Sequence, residues 1–403
     1  MAEFVRFVHC GGFRFDCPEW EGPSSWKAMR DKDLWDTFEA VLLLCQTEKA
    51  DFLLITGDLF DQEYTRKETV ERVARAFARL QGIQVFITPG EQDPLVISSV
   101  YRYAEWPENV HIFGEGIRCI EISDKQCILC GAGWTTYQQE KYVIDDLRIK
   151  DEPVAQAAPI RIMLLHTEIE SDSHTENFIP LPPEQIAAST MTYLALGHRN
   201  QYTGVHQTGN TIWADCGTAE PRYFHETGPH GVILGQTDGA AVHCEFRELS
   251  RRCYSEKVVT NVSGERETDI KNTVRELLTN ITADERQRDL FRFRLLGSRW
   301  NPQMIDAVND ILKKELRHVE LMADGASANE VSEAQDKVLK IEGIDRQKTL
   351  GFPSLNHVFR SEIELRIANA KDAEERRHWE LVKRIGSAAV SQAISQEQET
   401  YED

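Results

Sequence analysis

Long apolar runs are missing from this chain. No stretch of eighteen apolar residues occurs in it, which excludes a membrane-spanning helix of ordinary length. Positive charge is also in short supply: 46 Lys and Arg face 66 Asp and Glu, for a formal net charge of -20. A field of that sign repels a phosphate backbone at long range, so any contact with nucleic acid has to come from local basic patches or from a partner. The nine cysteines are odd in number and scattered from position 10 to position 253, which does not make a disulfide framework. No charged-then-apolar leader pattern opens the sequence, and the expectation is a reducing cytoplasm. Cys127-Ile-Leu-Cys130 has redox or zinc spacing but lies in an alternating apolar run without a second pair, so it reads as part of a core strand.

At roughly 150 residues per domain, 403 residues imply two or three domains. Strand-like runs recur at 4–8, 52–56, 85–88, 117–122, 126–130, 160–165, 193–196, 211–214 and 231–234. Two helical patterns fill the early gaps. Residues 33–48 place Leu34, Trp35, Phe38, Val41, Leu42 and Cys45 on one face, and residues 67–80 do the same with Val70, Val73, Ala74, Phe77 and Leu80. Strands alternating with helices, followed by strands in quick succession, predict an α/β sandwich with its functional loops at the carboxyl ends of the strands. The texture changes near residue 240. A helical pattern through Val274 and Leu278, an alternating strand at 290–296, a helix opened by Asn301-Pro302 and a strand at 318–322 predict a small αβαβ unit over residues 241–325. Residues 326–353 read as a linker, and residues 354–403 as a pair of amphipathic helices. Leu355, Phe359 and Ile363 mark the apolar face of the first helix, and Trp379, Val382 and Ile385 that of the second. An isolated helical pair buries little of its own face, so it either docks on another protein or packs back on its own chain.

The chemistry gathers at strand ends. Asp51-Phe-Leu-Leu-Ile-Thr-Gly57-Asp58 puts a carboxylate at the end of a buried strand, with a glycine that lets the backbone turn tightly. The next strand ends in Gly90-Glu91-Gln92-Asp93, and two further strands end in His166 and in Gly197-His198-Arg199-Asn200. A single strand-end Asp often caps a helix, and a single strand-end His is often a satisfied core residue. Four in one order on one sheet edge point to a site.

These segments resemble the calcineurin-like metallophosphoesterases of the DNA double-strand-break repair exonuclease family, of the bacterial SbcD and YhaO-like type. The resemblance implies a four-layer α/β/β/α sandwich over residues 1–240, a DNA-capping α+β domain, and a C-terminal helical pair that binds the coiled-coil base of a partner ATPase. Segment Ala214-Asp-Cys-Gly-Thr-Ala-Glu-Pro-Arg222 resembles the family's stretch after the last metal motif. The family's motifs read D-x-H, G-D-x-x-D, G-N-H-D, a strand-end H and G-H-x-H, and they hold two bridged metal ions. Asp58, His166 and His198 match. Gly12 and Arg14 stand where the first motif has its aspartate and histidine, Glu91 replaces the asparagine, Gln92 replaces the histidine that protonates the leaving group, and Asn200 replaces the last histidine.

By this resemblance one metal site has become Gly12, Arg14, Asp58 and Asn200, which keeps one anionic ligand and adds a fixed cation. The other becomes Asp58, Glu91, His166 and His198, a two-His, two-carboxylate set able to hold one Mn, Zn or Fe ion. Arg14 is expected to lie where the first ion would sit and to pair with Asp58 or Glu91. Arg292, Arg294 and Arg299 form a basic stripe for DNA, with a solvated strand face as the alternative. A free-standing interaction module that needs neither DNA nor ATPase stays open beside two more specific readings. One is a catalytically inactive subunit, expected to be a homodimer, that binds DNA and an SMC-like ATPase of the YhaN or SbcC type. The other is a DNA phosphodiesterase working with a single metal.

Overall fold

The computed structural model describes residues 4–137, 158–169, 181–259, 267–296, 300 and 302–324. Two six-stranded sheets form the body. The first runs in the order β12-β11-β1-β2-β3-β4, with β1 (Val5–Cys10), β2 (Phe52–Ile55), β3 (Gln84–Ile87) and β4 (Val110–Ile112) parallel, and β11 (Gly231–Thr237) and β12 (Val242–Glu248) antiparallel at one edge. The second runs β5-β6-β7-β8-β10-β9. There β6 (Cys127–Ala132), β7 (Ile160–His166), β8 (Tyr193–Gly197) and β10 (Thr211–Asp215) are parallel, flanked by antiparallel β5 (Arg118–Ile122) and β9 (Val205–Thr208).

Alternation along each strand decides what lies between the layers. Phe7, Phe52, Leu54 and Phe86 of the first sheet meet Leu129, Ile162, Leu164 and Tyr193 of the second in one core. Their neighbours Val8, Leu53, Ile55, Val85 and Ile87 turn the other way, onto helices Lys27–Thr47 and Lys67–Phe77 through Leu34, Phe38, Val41, Val70 and Phe77. The outer face of the second sheet packs Met163, Leu165 and Leu194 against Ile186 of helix Pro183–Ala188. Strands buried on both faces read as continuous apolar runs rather than alternating ones, which is why β2 appears as Phe-Leu-Leu-Ile. His9 bolts the sheets together: its Nε2 donates to the Leu196 carbonyl at 3.0 Å and its Nδ1 accepts from the Tyr193 hydroxyl at 2.9 Å. Burial pushes this imidazole down to about 3, so it is neutral at any working pH.

The first sheet does not stop near residue 240. Val242–Glu248 pairs along the whole of β11, which carries the sandwich to Glu248. Cys127–Cys130 is core strand, as its alternation predicts, but the cysteines are not all thiols. Cys119 and Cys130 stand directly opposite in the β5–β6 register with Cα atoms 4.1 Å apart and are joined as a disulfide. No helix among the described residues is long and apolar enough to cross a membrane.

The second unit opens with a strand that the sequence pattern does not announce, β13 (Tyr254–Val259). It pairs in parallel with β14 (Leu290–Leu296), and β14 with β15 (His318–Asp324). The αβαβ expectation therefore becomes a three-stranded parallel sheet, and helices Glu267–Leu277 and Pro302–Glu315 cover one face through Val274, Leu278, Met304, Val308 and Leu312. Trp26 and Phe224 of the sandwich close on Tyr254 and Leu290 of this unit.

Arg292, read from the sequence as part of a basic stripe, stands in a Glu256–Arg292–Glu320 row across the three strands, bonded to Glu320 at 2.7 Å. Its other end donates to Glu21 of the sandwich, and its guanidinium lies 3.9 Å over the Phe224 ring. The Glu21 carboxylate also accepts Phe224 N at 2.6 Å, and the Glu21 carbonyl accepts the Tyr254 hydroxyl at 3.2 Å. Arg292 is a fastener between the two units. Arg294, the more exposed of the pair, lies 3.8 Å from Glu256. Arg299 and the partner-binding positions Leu355, Phe359, Ile363, Trp379, Val382 and Ile385 lie outside the described residues.

Arg292→Ala should lower stability by about 1.5 to 3 kcal/mol, the range for hydrogen bonds to charged groups, and should speed proteolysis in the 249–253 connection. Denaturant unfolding and limited digestion read both effects. Unchanged stability with weakened DNA binding would restore the DNA-contact reading.

Candidate metal centre

The two carboxylate-bearing loops leave adjacent parallel strands and are tied by one side chain. Asp93 accepts the backbone N–H of Asp58 (3.1 Å), Leu59 (2.8 Å), Phe60 (3.1 Å) and Gly90 (2.7 Å), and the Tyr101 hydroxyl at 2.6 Å. The turn after β2 needs Gly57 at φ 92° and takes Asp58 to φ 52°, which points its side chain across the sheet edge. Space is tight there. A Cβ on Gly57 would lie 2.0 Å from His166 Nδ1, and one on Gly90 would lie 2.3 Å from Asp58 Oδ1. These glycines are what let four functional side chains share one corner.

The retained half of the expected site is assembled. His198 Nδ1 is 2.9 Å from Glu91 Oε2, and His166 Nε2 is 3.6 Å from the same oxygen and 3.7 Å from Asp58 Oδ1. The ligand atoms of Glu91, His166 and His198 all lie within 4.8 Å of one another. Asp58 Oδ1 also accepts Gln92 N at 3.0 Å. His166 Nδ1 donates to the Thr56 carbonyl at 2.8 Å, and the Trp134 indole N–H donates to the His166 carbonyl at 2.9 Å. The first of these bonds fixes Nδ1 as the protonated nitrogen and turns Nε2 toward the carboxylates, the arrangement a metal-bound imidazole takes. His198 sits at φ 120°, a costly conformation for a side-chain-bearing residue, and strain of that kind collects at functional sites. Two imidazoles and two carboxylates suit zinc, manganese or iron, so the residues fit a divalent ion.

Electrostatics says the same. Burial pushes the Asp58 carboxyl up to about 7, with Glu91 adding to the rise and His166 opposing it. Glu91 is lowered: burial acts upward, but its contacts with His166 and His198 outweigh that. His166 is raised to about 10, with burial opposing and Asp58 and Glu91 prevailing. A corner crowded with carboxylate oxygens demands a cation, and a protonated His166 supplies one when no metal does.

Gly12, Arg14 and Asn200 are engaged in other contacts. Gly12 has φ 64°, and a Cβ there would meet Thr218 Cγ2 at 2.6 Å. Arg14, also at positive φ, is held by its own N–H to the Asp58 carbonyl at 2.8 Å. Its guanidinium does not pair with Asp58 or Glu91 as expected. It reaches past them to Asp61 at 3.1 Å, with Glu19 at 3.8 Å. Asp58 is still felt through space, and the guanidinium is held firmly protonated against the opposing effect of burial, with Cys17 and Asp58 the strongest upward influences. Asn200 is exposed and offers its carbonyl to Thr218 N at 2.9 Å. His230 bonds Thr218 through Nδ1 at 3.0 Å.

Not every organising residue is evident from the motifs. Asp61 is, as the second aspartate of G-D-x-x-D three positions after Asp58. Nothing local marks Thr218 as the residue opposite Gly12. The Glu220-Pro-Arg222 segment proves structural. Glu220 pairs with buried Arg30 at 2.8 Å, while Arg222 holds the Phe13 and Arg14 carbonyls at 2.8 Å each and the Glu19 carbonyl at 3.1 Å. It fixes the loop that carries Arg14.

Reinstalling the missing ligands with Gly12→Asp and Arg14→His should not recover a second ion, because the new Cβ meets Thr218. Elemental analysis should still give at most one metal per chain, with lower stability. Binding of the ion has to expel the His166 proton. Above the Asp58 value of about 7 and below the His166 value of about 10 only the imidazole proton is released, so apparent Mn affinity should rise about tenfold per pH unit between pH 7.5 and 9. Titration with Mn at several pH values measures this, and a pH-independent affinity would contradict the proton exchange.

The family model for the calcineurin-like phosphoesterases matches residues 8–207. The uncharacterized metallophosphoesterase YhaO of Bacillus subtilis is 24% identical over 259 residues, 61% of this chain and 61% of that protein. The DNA double-strand break repair protein Mre11 of Methanocaldococcus jannaschii is 25% identical over 202 residues, 49% of this chain and 53% of that one. The chain thus spans less than two thirds of either relative. Among solved structures, protein TT1561 of Thermus thermophilus aligns with 60% of this chain and 99% of its own at 12% identity and a TM-score of 0.38. A dimetal phosphatase from Danio rerio aligns with 57% and 92% at 10% identity and a TM-score of 0.37. With its strand-end carboxylates and histidines gathered on one sheet edge, the chain carries a domain of the calcineurin-like phosphoesterase family over residues 8–207.

Proposed function

We propose that this protein is a DNA-binding subunit whose phosphoesterase centre holds one divalent ion and does not hydrolyse phosphodiesters at a two-metal rate. One observation carries the reading: Glu91, His166 and His198 converge beside Asp58, while Gly12 leaves no room for a side chain against Thr218 and Arg14 is paired with Asp61. A two-ion centre generates the nucleophile and neutralises the scissile phosphate, and a single ion supplies mainly the second of these. Asp58, Glu91, His166 and His198 would hold it. Gln92 occupies the proton donor's position, and a carboxamide has no proton to transfer at neutral pH. Arg14 keeps a buried Nε with no hydrogen-bond partner among the described residues, so its guanidinium can still offer a bond to a phosphate oxygen.

The relatives support the choice of ligand. Mre11 is named for DNA double-strand break repair, and under this reading the present chain likewise meets DNA. The net charge of -20 argues that the affinity is completed by a partner. A coiled-coil ATPase of the SMC type, bound through the helical segment 354–403, is the partner that the sequence pattern suits, in an assembly with two copies of this chain.

Purified protein should contain one Mn, Zn or Fe per chain and should bind linear DNA without Mn-dependent cleavage. Cleavage that vanishes in an Asp58→Ala, His166→Ala double variant would overturn the subunit reading in favour of a one-metal phosphodiesterase. A chain ending at residue 352 should lose a coiled-coil ATPase partner in co-purification and keep its metal.

A further inference from the structure

A cavity of about 220 Å³ lies one residue beyond the candidate ligands and has no role in the chemistry above. Thr167 follows His166 and Arg199 follows His198, so the cavity opens beside the metal centre, on the outer side of β7, β8 and β10. Its walls are mostly apolar. Leu196 is buried, and Ile169 and the Trp213 ring, itself stacked on His206 at 4.4 Å and 23°, line the cavity with it.

The polar groups are few and of both kinds. Arg199 is a donor, and its guanidinium is already paired with Glu168 at 2.8 Å. Asp215 is a buried acceptor whose oxygens take Arg199 N at 3.2 Å and Gly217 N at 3.0 Å. That balance disfavours a second phosphate, because the one cation is neutralised and a carboxylate stands beside it. The volume is below the roughly 300 Å³ at which whole drug-sized ligands begin. A single flat ring system with donors and acceptors on its edge fits, and a complete nucleotide does not.

We propose that this cavity holds one nucleobase of the nucleotide whose phosphate lies at the metal centre. The assignment rests on the reading of that centre as a phosphoester site. It gives the centre a ligand class: a strand end or displaced nucleotide whose base has left its stack, because a base stacked and paired inside a duplex has no free face to offer the pocket. Base–aromatic contact accepts any base, so little sequence preference follows.

Calorimetry on the Mn-loaded full chain with 2′-deoxyadenosine 5′-phosphate, deoxyribose 5-phosphate and deoxyadenosine tests it. The nucleotide should bind at least about tenfold more tightly than deoxyribose 5-phosphate, the lower part of the range for one base on an aromatic wall. Trp213→Ala should reduce that advantage below about threefold while leaving the Mn content and the deoxyribose 5-phosphate affinity unchanged. His206→Ala, at a half-exposed position, should act in the same direction if Trp213→Ala does not fold. Equal affinity for nucleotide and deoxyribose 5-phosphate in the unaltered protein, or an advantage intact in both variants, overturns the pocket. Deoxyadenosine binding that depends on Trp213 in a protein retaining no metal supports the pocket and removes the metal-centre reading instead.

Discussion

The Asp93 carboxylate is the constraint on which the rest of the corner depends. Four backbone N–H groups from two loops and one phenol converge on it, and the carboxylate is fully buried. Burial raises its pKa, and these donors oppose the rise. An acceptor so placed does what a hydrophobic contact cannot: it fixes the orientation of peptide groups. The loop after β2 must turn through Gly57 and Asp58 at positive φ, a conformation that persists only where the surroundings over-determine it. Asp93 supplies that determination. With the peptides fixed, Asp58 and Glu91 are brought to one point from different strands, and the histidines from β7 and β8 meet them there.

The opening loop is tied into the surrounding structure by its own residues. Gly12 lets the backbone pass against Thr218, and Arg14 reaches Asp61. Arg222 then holds three carbonyls of the same loop while its guanidinium packs 4.0 Å over Trp20. Further on, Glu21 meets Arg292 and Tyr254 of the three-stranded unit. One short segment thus runs from the edge of the metal centre to the fastening of the second unit. A substitution that restored metal ligands at its start would have to preserve this chain of contacts, which is a stronger barrier than the chemistry of the ligands alone.

What the sequence makes legible follows from what is local. The strand-end residues Asp58, Glu91, His166 and His198 are readable because each closes an apolar run, and parallel strands in one sheet deliver their carboxyl ends to one edge. Helices Lys27–Thr47 and Lys67–Phe77 are readable from their apolar stripe, although the first begins before the periodic residues do, behind the turn Ser24–Trp26. What fails is non-local. Arg292 and Arg294 alternate onto one strand face as expected, but periodicity names the face and not its neighbours, and Glu21 lies 271 residues away in the chain. Strand β13 escapes notice because Tyr-Ser-Glu-Lys-Val-Val has no clear alternation, and its pairing with β14 supplies what local pattern lacks. The same limit hides Thr218 behind Gly12.

Charge sets the terms on which this corner is held together. Two carboxylates in a low-dielectric corner, Asp58 and Glu91, with Asp61 close to the first by sequence, need positive charge whatever supplies it. On one side, Arg14 is a permanent cation tied to Asp61 and cannot exchange. On the other side the Asp58 and Glu91 carboxylates push the His166 imidazole up against the effect of burial, so the counter-charge there is a titratable one. A fixed cation and a titratable one thus flank the same carboxylates, on a framework that Asp93 holds in place.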